Sequence, residues 1–215
     1  MAGHTTSLTS LATCAPRATR LAWDSTQRVL DVVLIVAASP VWVPLLVLAV
    51  ALKLMIDGRP VLFHHVRLGL NGRPFVLQKI RTTPRNFQCQ PDDWSDDDYP
   101  PRTRFGRWLR RFDLDELPQF WNVIRGEMSL VGPRPEMPAH ARTFSYSIPE
   151  YAERLAVRPG LTGLAQVRGW RGDTCIRQRV ASDLEYLENR GLASYAQILI
   201  KTIGVEWRRT IRNAC

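Results

Sequence analysis

The run Val32–Leu52 contains no charged residue and consists mostly of Val, Leu, Ile and Ala. About 20 apolar residues suffice to cross a bilayer as a straight helix, so a single transmembrane span is the plain expectation. Two features oppose it. Ser39-Pro40 falls within the run and Pro44 follows one turn later. An interior proline removes a backbone hydrogen bond and clashes with the preceding turn, so the helix must bend. The flanks are also equally basic, with Arg17, Arg20 and Arg28 before the run and Lys53, Arg59 and Arg67 after it. Cytoplasmic flanks collect Lys and Arg, so this charge pattern does not place the two ends on opposite sides. A segment broken at Ser39-Pro40 that dips into one leaflet and returns satisfies both observations. Each half, about 10 residues or roughly 15 Å, reaches about half the hydrocarbon thickness. The Ser39 hydroxyl is expected to bond a carbonyl freed at the break.

The formal charge of +9 and pI of about 10.0 favour anionic partners: phosphates, nucleic acid or an anionic leaflet. Nucleic acid fits poorly, because no helix-turn-helix, zinc or RNA-binding signature is present. Cys14, Cys89, Cys175 and Cys215 are scattered; none has zinc-ligand spacing and nothing indicates a disulfide framework. Met1–Arg20 contains no acid and no apolar block, and reads as a disordered tail.

Val61–Val66 and Phe75–Ile80 flank Gly69-Leu70-Asn71-Gly72, a β-hairpin signal. Gln88–Pro101 is acidic and proline-punctuated and reads as a solvated loop rather than a metal site. Phe105–Arg111 reads as a helix on which Arg104, Arg107, Arg110 and Arg111 share a face, suited to an anionic surface. Leu117–Arg125 reads as a continuation of it. Gly132-Pro133-Arg134-Pro135 is too proline-rich for a helix and should be a rigid loop presenting Arg134 to phosphate. A turn and short strand are expected over Pro159–Val167. Helices are expected over Val180–Asn189 and Tyr195–Arg209, the latter with Ile198, Leu199, Ile203 and Trp207 as its apolar stripe.

The chemistry concentrates at Asp115-Glu116, within Arg110-Arg111-Phe112-Asp113-Leu114-Asp115-Glu116-Leu117-Pro118-Gln119. Carboxylates among arginines should be ionised, since nearby positive charge favours the anion. An ionised carboxylate acts as a nucleophile or holds a divalent cation. Guanidinium groups bind phosphate oxygens in a fork. Beside an apolar segment, this points to phosphoryl chemistry at a lipid surface.

Five segments, taken in order and spacing, resemble the bacterial sugar transferases, the monotopic polyprenyl-phosphate phosphoglycosyl transferases. They are the apolar run with Ser39-Pro40, Pro60–Arg81, Leu114–Gln119, Gly126–Pro135 and Arg158–Gly163 with Gln166-Val167. The resemblance implies transfer of a sugar phosphate from a UDP-sugar to a polyprenyl phosphate, typically undecaprenyl phosphate, with release of UMP. It implies a first membrane step of exopolysaccharide or glycan assembly, at the cytoplasmic face of the inner membrane, with Mg2+ as cofactor. It makes Asp115 the nucleophile that forms a phosphosugar-aspartyl intermediate and Glu116 the Mg2+ ligand. Arg134, Arg111, Lys79, Arg81, Gln119 and Arg158 become substrate- or phosphate-binding candidates, and Ser39-Pro40 the break of the membrane helix. The loop Gly169-Trp170-Arg171-Gly172-Asp173-Thr174 is most similar to that of hexose-1-phosphate transferring members, which implies UDP-glucose or UDP-galactose. Phe112-Asp113 departs from the family's usual small hydroxylated pair and sets a third carboxylate beside the dyad.

The expected fold is mainly α with a small β-hairpin (α+β), monotopic, with amphipathic helices at the interface. The expected layout is a tail over 1–26, a re-entrant helix over 27–57, a cytoplasmic catalytic domain over 58–209 and a C-terminal tail over 210–215. The partners are UDP-sugar, polyprenyl phosphate and inner-membrane lipid, without nucleic acid; a homo-oligomer is admitted.

Overall fold

The structure, a computed structural model, describes residues 17–85, 87, 101–172 and 174–212. Gln88–Pro100, with its run of aspartates, and the 210–215 tail beyond residue 212 lie outside the described residues.

Two helices carry the apolar run, α1 (Arg17–Ala37) and α2 (Ser39–Asp57). Helix α1 starts ten residues before the expected boundary at Gln27, so 17–26 is helix rather than tail. The reason is tertiary: Trp23 packs edge-on against Tyr195, centroids 6.1 Å apart, and Asp24 pairs with Arg190 at 2.7 Å. The break lies where expected. Ala38 is a turn, Pro40 occupies the first turn of α2, and Pro44 lies inside it. Pro at a helix start costs nothing, because its missing N–H has no intrahelical partner there. The Ile35 carbonyl accepts the Trp42 indole N–H at 2.9 Å, so an aromatic ring does the work expected of the Ser39 hydroxyl. Among the described residues α2 is the one helix long and apolar enough to cross a membrane. It is not a core helix: Val41 and Val47 are 66% and 62% exposed.

The hairpin forms from β1 (Leu62–Leu68) and β2 (Pro74–Ile80), antiparallel, with Phe63 opposite Lys79 and His65 opposite Leu77. Asn71 and Gly72 make the turn at φ 55° and 71°. Helix α3 (Arg104–Arg111) follows, capped by Thr103, whose Oγ1 accepts Gly106 N–H at 2.9 Å. A Cβ on Gly106 would stand 2.1 Å from the Thr82 carbonyl oxygen, so only glycine lets α3 lie this close to the chain leaving β2. The expected continuation over 117–125 is interrupted. Leu114–Glu116 forms a 3₁₀ turn and α4 begins two residues later (Gln119–Arg125).

A second sheet was not foreseen in full. Strand β3 (Ser129–Val131) pairs in parallel with β4 (Gly160–Thr162); the turn and short strand expected over Pro159–Val167 are instead this strand followed by a helical turn at Leu164–Val167. Three residues per strand are too few for a periodic signal. Between them lie α5 (Pro138–Ser147) and a 3₁₀ segment (Pro149–Ala156); after them come α6 (Leu164–Val167), α7 (Ile176–Glu188) and α8 (Leu192–Arg212). The main core joins Ile35 of α1, Phe75 and Leu77 of β2, Val123 of α4, Leu130 and Val131 of β3, Tyr186 of α7, and Tyr195 and Ile198 of α8. The apolar stripe of α8 is narrower than expected: Ile198 is buried, but Ile203 is 74% exposed.

Both ends of the broken segment are bonded to this one body. In α1, Gln27 Nε2 donates to Ser129 Oγ and the Val131 carbonyl at 2.6 and 2.7 Å. Asp31 Oδ1 accepts Leu130 N–H and Tyr195 O–H at 3.1 and 2.8 Å, and Arg28 donates to the Val123 and Ile124 carbonyls at the end of α4. At the foot of α2, Asp57 Oδ2 accepts Thr103 O–H at 2.7 Å and pairs with Lys53. Lys53, expected as a basic flank, is therefore buried.

Candidate active site

The Leu114–Glu116 turn is entered by Asp113 in the left-handed region, φ 50°, which Asp tolerates better than most side chains. The turn places Asp115 inside the protein, 3% exposed. Its Oδ1 has no hydrogen-bond partner among the described residues. Glu116 is held instead by two cations that converge on one oxygen: Oε1 lies 2.7 Å from Lys79 Nζ and 3.1 Å from Arg134 Nη2. The two carboxyls consequently diverge. Burial pushes Asp115 up, against the Lys79 charge, and the Glu116 anion adds to the rise. Burial would push Glu116 up as well, but Lys79 and Arg134 hold it well below the usual carboxylate range. The expectation that arginines favour both anions holds for Glu116 and fails for Asp115, where desolvation outweighs the neighbouring charge.

Lys79 is set by the hairpin and by Asn122, which no sequence signal singled out. Fully buried, Asn122 accepts Gln78 N–H at 3.2 Å and donates to the Val76 carbonyl and Glu127 Oε2 at 2.8 and 2.7 Å. Its amide therefore serves as the neighbouring strand for the outer edge of β2, and locks α4 to the residues next to Lys79. On β1, burial and the charges of Arg67, Lys79 and His140 lower His65 to about 4, leaving it neutral at pH 7. Arg134 is set by the loop after β3. Gly132 N–H donates to the Thr162 carbonyl at 2.9 Å, and Gly160 N–H to the Pro133 carbonyl at 2.8 Å. A Cβ on Gly160 would stand 2.1 Å from Gly132 N, so glycine is required for the loop and β4 to meet.

The structure thus brings Asp115, Glu116, Lys79 and Arg134 together. Gln119 opens α4 within a turn of the dyad, 2% exposed, with Nε2 unbonded among the described residues. Arg111 is turned toward the Phe112 ring, 5.8 Å from its centroid; Arg110 is the α3 residue whose charge acts on Asp115. Arg81 is turned away from this group, into the backbone at the end of α2. It is 4% exposed and donates to four backbone carbonyls, those of Pro60 (2.6 Å), Thr83, Asp57 (3.1 Å) and Gly58 (3.2 Å). It ties the end of α2 to the hairpin. Arg158 likewise donates to the Gly126 carbonyl at 3.0 Å and faces Arg28. Motif membership cannot separate an arginine that meets substrate from one that saturates backbone.

The family model for bacterial sugar transferases matches residues 22–209. The chain belongs to the bacterial sugar transferase family. Among its curated relatives within that family, a UDP-glucose:undecaprenyl-phosphate glucose-1-phosphate transferase of Caulobacter vibrioides is 46% identical over 194 residues, 86% of this chain and 70% of the relative. The Escherichia coli protein of the same name is 38% identical over 179 residues, 81% of this chain but only 38% of the relative. The exopolysaccharide production protein ExoY of Sinorhizobium fredii is 37% identical, with 82% of this chain and 83% of the relative aligned. The bacterial sugar transferase match runs from within α1 to within α8, so the dyad and its cations lie wholly inside it.

Proposed function

We propose that this chain transfers a sugar-1-phosphate from a UDP-sugar, with UDP-glucose or UDP-galactose as donor, to undecaprenyl phosphate and releases UMP, through a covalent intermediate on Asp115. The observation that carries the reading is the division of labour in the dyad. Glu116 is held on one oxygen by Lys79 and Arg134, while the adjacent Asp115 is buried with Oδ1 unbonded among the described residues. A carboxylate that accepts few hydrogen bonds keeps its basicity and is suited to attack.

An Asp115 oxygen attacks the phosphorus that bears the sugar. The bond from that phosphorus to the bridging oxygen breaks, and the electron pair leaves with UMP. An oxygen of undecaprenyl phosphate then attacks the same phosphorus and returns the Asp115 carboxylate. The covalent step divides one hard transfer into two. Lys79 and Arg134 face the phosphoryl oxygens that carry charge in flight. The names of the Caulobacter and Escherichia relatives favour glucose.

Mg2+ fits this donor set. No group of three His, Cys, Asp or Glu forms a metal cluster among the described residues. Mg2+, however, is commonly held by one or two carboxylates together with substrate phosphates and water. Glu116 would hold the ion in this reading, and the ion would supply neutralising charge at the diphosphate. Chelation should stop turnover and added Mg2+ restore it.

The segment α1–α2 is re-entrant in this proposal, with Gln27 and Asp57 both on the cytoplasmic side of the inner membrane. The support is that α1 and the foot of α2 are both bonded to the same folded body. The deciding experiment for function is UMP release from a panel of UDP-sugars with and without undecaprenyl phosphate. Radiolabel from the sugar phosphate should remain on the protein when the acceptor is omitted. Absence of both UMP and label with every donor would overturn the reading. For topology, impermeant thiol labelling of a cysteine placed ahead of Gln27, in a variant without the native cysteines, should fail from the periplasmic side.

A further inference from the structure

Arg134 is held at both ends. Its guanidinium meets Glu116, and its carbonyl oxygen accepts a hydrogen bond from Arg154 Nη2 at 3.0 Å. Arg154 lies in the 3₁₀ segment after α5, far from the dyad in sequence, and its side chain is 1% exposed. Nη2 also lies 2.7 Å from Asp183 Oδ2 of α7, and Nη1 donates to the Tyr151 hydroxyl at 3.1 Å. Glu136 Oε2 stands 3.6 Å from Nη1, and the guanidinium lies over the Tyr151 ring at 5.2 Å.

This bond acts on a torsion that the two prolines leave open. Pro133 and Pro135 fix their own φ near −65°. Pro135 also pushes Arg134 toward extended ψ, but over a range of tens of degrees. The direction of the Arg134 carbonyl is its ψ, so a donor on that oxygen narrows the range. Arg134 carries a long side chain that is 39% exposed, and a small rotation at its backbone moves the guanidinium by far more than the tolerance of a hydrogen bond. Asp183 and Tyr151, both buried on separate elements, hold the donor itself in place.

We infer that Arg154 is a positioning residue of the transfer site: it fixes the Arg134 carbonyl and thereby delivers the Arg134 guanidinium to Glu116. The inference rests on the proposed reading of Glu116 and Arg134 as transfer machinery. It adds to that reading a line of contact from α7 through Asp183 and Arg154 to the dyad.

Arg154→Lys separates this role from plain support of the fold. An ammonium keeps a charge against Asp183 but cannot reach Asp183, Tyr151 and the Arg134 carbonyl together, as the guanidinium fork does. Two measurements are made on the full chain in detergent. The first is the ¹⁵N–¹H signal of Arg134 Nε, assigned by its loss in Arg134→Lys. It should move or broaden in Arg154→Lys while the melting temperature falls by only a few degrees. The second is kcat/KM for UMP release in a double-mutant cycle. Arg154→Lys should cost about tenfold in the native background and under about twofold when Arg134→Lys is also present, since the two act as one unit. An unmoved Arg134 signal, or an equal loss in both backgrounds, would reduce Arg154 to a fold clamp. If native protein releases no UMP, the transfer reading fails while the Nε signal still decides the link between Arg154 and Arg134. Should Arg154→Lys not fold, Arg154→Gln with Asp183→Asn, which removes both buried charges, carries the same two readouts.

Discussion

Glu116 and Glu136 are two buried carboxylates surrounded by cations, and they differ in what they leave unused. Glu136 has cations facing both oxygens. Oε1 faces Arg67 at 3.8 Å and His140 at 3.9 Å, and Oε2 faces Arg179 at 3.3 Å and Arg154 at 3.6 Å. Four elements meet there, and its own carbonyl accepts Leu68 N–H of β1 at 3.0 Å. At Glu116 both cations share Oε1, and the neighbouring Asp115 holds an oxygen that nothing described bonds. Burial and charge are alike in the two places. A cation facing each oxygen marks the structural cluster; at the dyad both cations crowd one Glu116 oxygen, and Asp115 Oδ1 has no hydrogen-bond partner among the described residues.

The strongest attack on this contrast is Asp115→Asn. The change is nearly isosteric and removes the proposed nucleophile, so UMP release should fall by at least about a thousandfold. Because Oδ1 of the native carboxylate is buried with no hydrogen-bond partner among the described residues, the melting temperature should not drop. Retained turnover would mean that the unspent oxygen is not the reacting one.

Glu136→Gln should show the opposite profile. It leaves Arg154 and Arg179 short of a buried counter-charge and should cost about 3 kcal/mol of stability, the usual scale for breaking a buried pair. It also carries a pH signature. Burial opposes the Glu136 charge, but His140, Arg154, Arg179 and Arg67 lower the carboxyl to about 2 from an ordinary 4.5. A depressed carboxyl contributes stability above its ordinary value and loses it as pH falls through the folded one. The native protein should therefore lose stability between about pH 4.5 and 2, and Glu136→Gln should flatten that part of the curve in tryptophan-monitored unfolding. An unchanged acid limb would remove Glu136 from the structural side of the comparison.

Lys79 and Arg81, two residues apart, repeat the contrast on a smaller scale. Arg81→Lys forfeits most of its four carbonyl bonds and should destabilise by about 2 kcal/mol, with kcat for the remaining folded protein within about threefold of native. A loss of turnover without loss of stability would return Arg81 to the site. The smallest effect belongs to the exposed face of α3. Arg107→Ala should weaken binding to vesicles containing anionic lipid by about fivefold, near 1 kcal/mol, with melting temperature unchanged. Equal binding would show that α3 does not face the lipid surface.

The hairpin, the α3 arginine face, the proline-bound Arg134 loop and the helix break were legible because each rests on chain-local physics: turn chemistry, helical spacing or the missing proline N–H. The dyad was legible from its motif. The extension of α1 to Arg17 was not, because Trp23 and Asp24 meet their partners Tyr195 and Arg190 more than 160 residues away. Strand β3 was hidden by its length, and its pairing with β4 is a contact between segments about thirty residues apart.

The sequence by itself determined where this chain bends, where it turns and where two adjacent carboxylates stand among arginines, since those follow from residue type and spacing. Only the tertiary structure decided how each charge is used. Lys79 and Arg134 meet Glu116, Arg81 and Arg158 donate to carbonyls, Arg154 grips the Arg134 backbone, and Asp115 is left buried with an oxygen unbonded among the described residues. The physical reason is that ionisation and reactivity depend on the balance of desolvation against partner charge, and both terms are fixed by neighbours that the fold brings from distant parts of the chain.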